Sequence, residues 1–324
     1  MRVDASMIRL ELRLRGSLFR LVLPRFTECM FRMASAAAAR TMAGKCRSEL
    51  RYEQVFAARP DGSVLRLCVY SPLSPKTDVP GLLWIHGGGY GLGVPEQDEV
   101  FIRRFVEASD CVVVSPDYTL SIDKPYPAAF EDCYAALLWL KENSDRYGIR
   151  DDQIFVGGES AGGGLAAAVS LYARDKGEVA IAFQMPLYPM IDDRMNTESA
   201  KDNNAPLWNS KSNNLGWKLY LSDLFGTPDV PAYAAPARGD DFSGLPPTCT
   251  YVGSIEPFCD ETIAYVENLR SRGVPVTFKV FDGCFHGFDI VCPKSKVAHE
   301  ATEFLLDCFH YAVENYYAKQ SCST

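Results

Sequence analysis

Three stretches of this chain hold residue types that together could transfer an acyl group. The first is Gly158-Glu159-Ser160-Ala161-Gly162, directly after the strand-like run Gln153–Val156 and directly before the helix-forming run Leu165–Ala173. A serine on so tight a strand-to-helix turn has its hydroxyl thrust outward, and small neighbours are needed because larger side chains would collide at the bend. The same five residues also fit an ordinary glycine-rich turn, since Gly-x-Ser-x-Gly recurs by chance. The second stretch, His86-Gly87-Gly88-Gly89 after the apolar run Gly81–Ile85, weighs against that reading. Peptide N–H groups in a glycine turn can converge on the oxyanion of a tetrahedral intermediate without obstruction. The turn would supply two donors, and Ala161 at the start of the helix after the serine a third. A phosphate loop fits less well: no Lys-Ser or Lys-Thr follows, and the Gly-x-Gly-x-x-Gly spacing is absent.

A serine needs a base, and the chain has four histidines, 86, 286, 299 and 310. His86 belongs to the glycine turn and reads as a structural hydrogen-bonding residue. His299 and His310 fall within the C-terminal helical pattern and read as surface or packing residues. His286, in Gly283-Cys284-Phe285-His286-Gly287-Phe288, follows the strand-like Val276–Phe281, where ligand chemistry gathers in α/β sheets, and is the expected base. The imidazole then requires a carboxylate between nucleophile and histidine in chain order. Glu256, Asp260 and Glu261 compete after the strand-like Thr248–Val252. Glu256 is favoured because it lies closest to the strand end and precedes a proline suited to a helix's first turn.

These residues need a scaffold that brings several strand ends together. Short β-branched runs alternate with helical patterns, the rhythm of a parallel sheet covered by helices, and the expected sheet has about eight strands. The expected strands are Tyr52–Ala58, Val64–Tyr70, Gly81–His86, Cys111–Ser115, Gln153–Val156, Val179–Gln184, Thr248–Val252 and Val276–Phe281. Several lack alternation, as strands covered on both faces do. Two segments break the rhythm. Near the N-terminus Ile8, Leu10, Leu12 and Leu14 alternate with charged residues in a period of two, while Leu10, Leu14, Leu18 and Leu21 also fit a helix. The polar stretch Asp192–Asp241 reads as an insertion with one helix near Leu215–Phe225. The expected organisation is a catalytic domain over residues 51–190 and 226–324, with a small, mainly helical cap built from residues 1–50 and 191–225. Tyr90, Trp208, Trp217 and Tyr220 are the aromatic candidates for contact with substrate.

The whole chain has 324 residues and a net charge of −8, which disfavours a broad nucleic-acid surface. Residues 1–51 nonetheless hold eleven basic and four acidic side chains. A secretion signal fits poorly, because the apolar run Leu18–Leu23 is short and broken by Arg20. Eleven scattered cysteines with no Cys-x-x-Cys pair point away from disulfide frameworks and zinc clusters, toward a reducing cytoplasm.

On these residues the chain resembles the hormone-sensitive-lipase-like α/β-hydrolases, the family IV esterases, from about Tyr52 to the C-terminus. The markers are His86-Gly87-Gly88-Gly89, Gly158–Gly162, Asp117-Tyr118-x-Leu120 with Pro127-Ala128, and Phe285-His286-Gly287-Phe288. The resemblance implies an α/β-hydrolase fold and hydrolysis of short- to medium-chain carboxylic esters without metal or organic cofactor. It implies Ser160 as nucleophile, His286 as base, Gly88, Gly89 and Ala161 as oxyanion donors, and Gly87 as a shaper of the turn. The sequence departs from the family in three places. Glu256-Pro257-Phe258 stands for Asp-Pro-Leu, Glu159 precedes the nucleophile where aspartate is common, and Thr119 replaces an arginine, so a structural pairing is missing or replaced. The partner expected is a small ester. A non-catalytic receptor on the same fold is disfavoured because all three triad positions hold competent residues. For the basic, leucine-rich N-terminus, a cap packing its leucines over the active-site mouth is preferred to a lipase docked on an anionic membrane. A homodimer is compatible with the sequence but no feature requires one.

Overall fold

A computed structural model of the chain describes residues 1–59 and 61–320. Within these residues eight strands form one sheet: β1 (Arg51–Ala58), β2 (Val64–Ser71), β3 (Val79–Ile85), β4 (Val112–Pro116), β5 (Ile149–Glu159), β6 (Phe183–Leu187), β7 (Thr248–Gly253) and β8 (Val276–Phe281). Their spatial order is β1-β2-β4-β3-β5-β6-β7-β8. The pairs β1–β2 and β2–β4 are antiparallel, and every other pair is parallel.

Among the described residues, ten α-helices accompany the sheet: α1 (Leu10–Val22), α2 (Glu28–Thr41), α3 (Glu99–Ser109), α4 (Ala128–Glu142), α5 (Ser144–Tyr147), α6 (Ala161–Lys176), α7 (Ser210–Leu221), α8 (Cys259–Ser271), α9 (Phe288–Val291) and α10 (Lys296–Asn315). Strand β3 shows why its sequence is apolar without alternation. Leu83 and Ile85 join the core that includes α4 and α6, while Leu82 and Trp84 join the core that includes α3 and α10. Both faces are dry, so every position of β3 is buried. The edge strand β1, by contrast, has no fully buried residue.

The expected elements correspond with four adjustments, the first being that β5 runs over Ile149–Glu159 rather than only the expected Gln153–Val156. Strand β6 lies C-terminal to the expected Val179–Gln184, because it must follow β5 through the pairs Phe155↔Phe183 to Glu159↔Leu187. Helix α7, in the inserted stretch, begins at Ser210 rather than near Leu215, because the Asn209 side chain accepts the N–H groups of Lys211 and Ser212. The N-terminal segment, ambiguous by period, is helical. Its inner face holds Leu12 and Gly16, and a Cβ on Gly16 would meet Phe285 at 3.0 Å and Pro206 at 3.2 Å. Leu10, Leu14, Leu18 and Leu21 point to solvent instead, so the expectation that these leucines pack over the mouth is corrected. A helix offers one face to its support, and the close approach at Gly16 chose the face opposite the leucines.

The N-terminal helices and the inserted stretch hold each other. Phe26 N–H donates to Ser212 Oγ at 3.0 Å, Asn209 Nδ2 to the Pro24 carbonyl at 3.0 Å, and Val3 N–H to Asn204 Oδ1 at 2.7 Å.

Candidate active site

Four parallel strands, β3, β5, β7 and β8, end on the same side of the sheet, and each is followed by a loop carrying one component of the site. Ser160 stands between β5 and α6 at φ 57° and ψ −120°, a conformation few non-glycine residues adopt. The turn is held by its neighbours: Ser160 N–H donates to Leu187 O at 3.0 Å, and Ser160 O accepts from Met190 N–H and Gly164 N–H, each at 3.0 Å. The flanking glycines are sterically required. A Cβ on Gly162 would lie 2.0 Å from Ile85 O, and one on Gly158 2.5 Å from the same oxygen.

Ser160 Oγ lies 2.8 Å from His286 Nε2. The other ring nitrogen, Nδ1, is hydrogen-bonded to Glu256 Oε2, and Gly253 N–H donates to Glu256 Oε1 at 2.7 Å. All three side chains are buried. Burial pushes the Glu256 carboxyl above its ordinary range, while His286 and the Gly253 N–H pull it back. A carboxylate on Nδ1 fixes the tautomer that leaves Nε2 free to accept the serine proton. The edges or faces of two aromatic rings bracket the imidazole: Tyr188 at 5.1 Å and Phe258 at 4.9 Å between centroids, both near perpendicular.

The competing carboxylates have other partners. Asp260 accepts the N–H of Ser199 at 2.7 Å, tying α8 to the inserted stretch. Glu261 accepts the N–H groups of Ile191 and Asp192. Among the histidines, His86 Nδ1 lies 2.8 Å from the Gly87 carbonyl, so that nitrogen carries the proton, and the ring stacks on Tyr118 at 4.3 Å. His299 is exposed, and His310 is exposed beside Glu314.

The glycine turn faces the serine. Gly88 and Gly89 have φ of 123° and 58°, values that exclude most side chains. Gly87 N–H donates to Glu159 Oε1 at 2.7 Å, and a Cβ on Gly87 would strike that carboxylate. Among the described residues, no protein acceptor takes the N–H of Gly88, Gly89 or Ala161. Three amides therefore remain available beside Ser160, one of them at the N-terminus of α6, where the helix dipole favours an anion.

Of the aromatic candidates, Trp208 approaches the triad: its ring centroid lies 6.3 Å from that of His286, and its indole covers Gly89 so closely that a Cβ there would overlap it. Tyr90 donates its hydroxyl to Met190 O at 2.7 Å and stacks on Tyr220 at 3.9 Å. Trp217 is fully buried, 5.5 Å from the Tyr90 ring. These three rings are packed in the same buried cluster as α4 and α6.

Sequence reasoning missed a set of buried acids beneath the site. Glu159 is buried and its carboxyl is raised well above the ordinary range, by burial and then by the charge of Asp98. Asp98, which accepts Trp84 Nε1–H at 2.8 Å, is pushed up to about 7 by burial. Asp289 is raised by burial and accepts the Tyr251 hydroxyl at 2.7 Å. Nothing local in the sequence marks Asp98 as buried. The arginine missing at Thr119 is replaced from another strand's end: Arg59 holds Asp132 through Nε at 2.6 Å and Nη2 at 2.9 Å, and Asp132 also accepts the Thr119 N–H and hydroxyl.

Residues 82–290 match a family model described as alpha/beta hydrolase fold. The chain is 32% identical over 256 residues to esterase LipI of Mycobacterium tuberculosis, covering 78% of this chain and 80% of the relative. It is 32% identical over 260 residues to carboxylesterase NlhH of the same organism, again with 78% and 80% covered. A solved structure titled "Bacterial Heroin Esterase" superposes with a TM-score of 0.87 at 32% identity, covering 97% of this chain and all of that one. The matched family model, the relatives 32% identical over 78% of the chain and the superposed structure leave one assignment: the chain belongs to the α/β-hydrolase family, within its hormone-sensitive-lipase-like branch of carboxylic ester hydrolases.

Proposed function

We propose that this protein hydrolyses short- to medium-chain carboxylic esters through a Ser160–His286–Glu256 triad and an acyl-enzyme. The observation that carries the reading is the 2.8 Å contact between Ser160 Oγ and His286 Nε2, made beside three amides with no protein acceptor. In the first half-reaction His286 Nε2 takes the Ser160 proton as Oγ attacks the ester carbonyl carbon. The N–H groups of Gly88, Gly89 and Ala161 receive the oxyanion. Collapse breaks the bond to the alkyl oxygen, which leaves as alcohol with the proton from Nε2. In the second half, water gives a proton to Nε2 and attacks the acyl carbon, and the carboxylic acid departs as Oγ regains its proton. Glu256 stabilises the imidazolium in both halves. Loss of one oxyanion donor typically costs ~3 to 4 kcal/mol in the barrier.

Trp208, leaning on Phe26 and Phe31, forms the wall of the acyl or alcohol site, and Tyr90 and Trp217 brace the cap behind it. In this reading residues 1–50 and 191–225 act as the cap, and its close cover over a buried serine favours small acyl groups. Turnover of p-nitrophenyl esters from acetate to palmitate tests the reading. Serine-dependent hydrolysis with a maximum at short or medium chains is expected. A maximum at palmitate contradicts the chain-length part, and turnover by Ser160→Ala above a hundredth of wild type contradicts the nucleophile.

A further inference from the structure

The outer face of α1 is unpartnered. Leu10, Leu14, Leu18, Leu21 and Val22 stand between 58% and 84% exposed, side by side along one helix. At ~100° per residue, the four leucines fall within an arc of about 80° centred on Leu14. A contiguous apolar stripe of this kind is unusual on a soluble surface and marks a contact site. Beyond Glu11 and Ser17, each about 60° from Leu14, cations stand on both sides of the stripe. Arg13 and Arg15 lie roughly 100° to either side of Leu14. Their guanidinium groups are held at the base of the helix, Arg13 by the carbonyls of Ser6 and Ile8, each at 3.3 Å, and Arg15 by that of Val291 at 2.6 Å. Arg25 follows just beyond the helix end, exposed. Among the described residues, none of these three arginines has a carboxylate in ion-pair range. Glu11, the acid nearest the stripe, is occupied by Arg9 and by the N–H groups of Lys296 and Val297.

We infer that this face of α1 docks, in the plane of the surface, on an anionic lipid bilayer. An apolar stripe flanked by arginines is the pattern of an interfacial helix, whose leucines enter the acyl boundary while the cations meet phosphate and carboxylate headgroups. No helix among the described residues is long and apolar enough to cross a membrane, so the contact lies on the surface. A second copy of the chain is the other occupant such a stripe could take. It fits less well, because pairing α1 against α1 would bring the arginine borders of two copies together. Charge complementarity selects lipid: the N-terminal 51 residues are basic in a chain whose net charge is −8. The docked helix would lie directly over the loop that carries His286, since Arg9 N–H donates to Gly283 O at 2.9 Å and Gly16 packs on Phe285.

The test is co-sedimentation of the full chain with phosphatidylcholine vesicles, with and without phosphatidylglycerol, for the wild type and for the double variant Leu14→Glu/Leu21→Glu. Both side chains are exposed, and thermal unfolding of the variant checks that the fold is kept. The expected result is association with the phosphatidylglycerol vesicles, weakened by salt, and a fall of at least ~10-fold in partitioning for the variant. The wild-type measurement stands by itself if the variant misfolds. Absence of binding by folded wild type overturns the proposal, and so does equal binding by wild type and variant. A wild-type dimer in sedimentation that the double variant abolishes, with no vesicle association, would assign the stripe to a second copy.

Discussion

The loops at the carboxyl ends of the sheet and the outer face of α1 lie one helix thickness apart, yet opposite constraints shape them. At the loops, every triad polar atom has a partner and the glycines have no room for a Cβ. On α1, five large apolar side chains stand 58% to 84% exposed. The first region is determined by the fold's own sterics, the second by whatever it meets. Function can therefore be argued from distances in one place, and only from unmatched chemistry in the other.

Substitutions should respect that contrast. The largest effect within the loops, after loss of the serine, is expected for Glu256→Gln. It keeps an acceptor for the Gly253 N–H but removes the charge facing the imidazolium, and kcat should fall by ~10²- to 10⁴-fold in steady-state assays. Gly162→Ala comes next. Its methyl group would sit 2.0 Å from Ile85 O, so the elbow must shift, and urea unfolding should show a loss of ~3 kcal/mol with reduced turnover.

A smaller effect is expected beneath the site. Burial raises the Asp98 carboxyl from 3.8 to about 7, so the folded chain holds a proton that the unfolded chain releases. Stability from this group is present below the unfolded value and is lost as pH rises toward 7. Asp98→Asn keeps an acceptor for Trp84 and should flatten that decline, raising the melting temperature at pH 8 by a few degrees. If the variant melts lower at pH 8 than wild type, Asp98 is instead a stabilising anion. The smallest effect belongs to α1: Leu14→Ser should change unfolding free energy by less than ~0.5 kcal/mol and leave hydrolysis of a soluble ester unchanged. A larger loss would mean that the stripe is packed in solution, and the contrast between the regions would fail.

The same contrast explains what could be read from the sequence. Ser160, His286 and the glycine turn were legible because few residue types satisfy those turns and the chain has only four histidines. Glu256 could be ranked above Asp260 and Glu261 by its place at the strand end, though only the fold shows the other two bonded elsewhere. Strand β6 lies beyond the stretch its β-branched residues suggest, since Pro186 obscures a strand whose extent is set by pairing with β5. The N-terminal helix was ambiguous because its leucines satisfy two periods, and their outward direction follows from Gly16 meeting Phe285, a contact across most of the chain. Arg59 on Asp132 is likewise a long-range replacement that no local motif announces.

The most direct test of the central claim is covalent labelling. Wild-type protein and Ser160→Ala would be treated with diethyl p-nitrophenyl phosphate, followed by intact-mass and peptide-mass measurement and an ester assay. One diethylphosphoryl group per wild-type chain is expected, on the peptide bearing Ser160, with loss of activity in proportion, and no label on the alanine variant. A label on a different residue that tracks the loss of activity, or full ester hydrolysis by the unlabelled alanine variant, would contradict it.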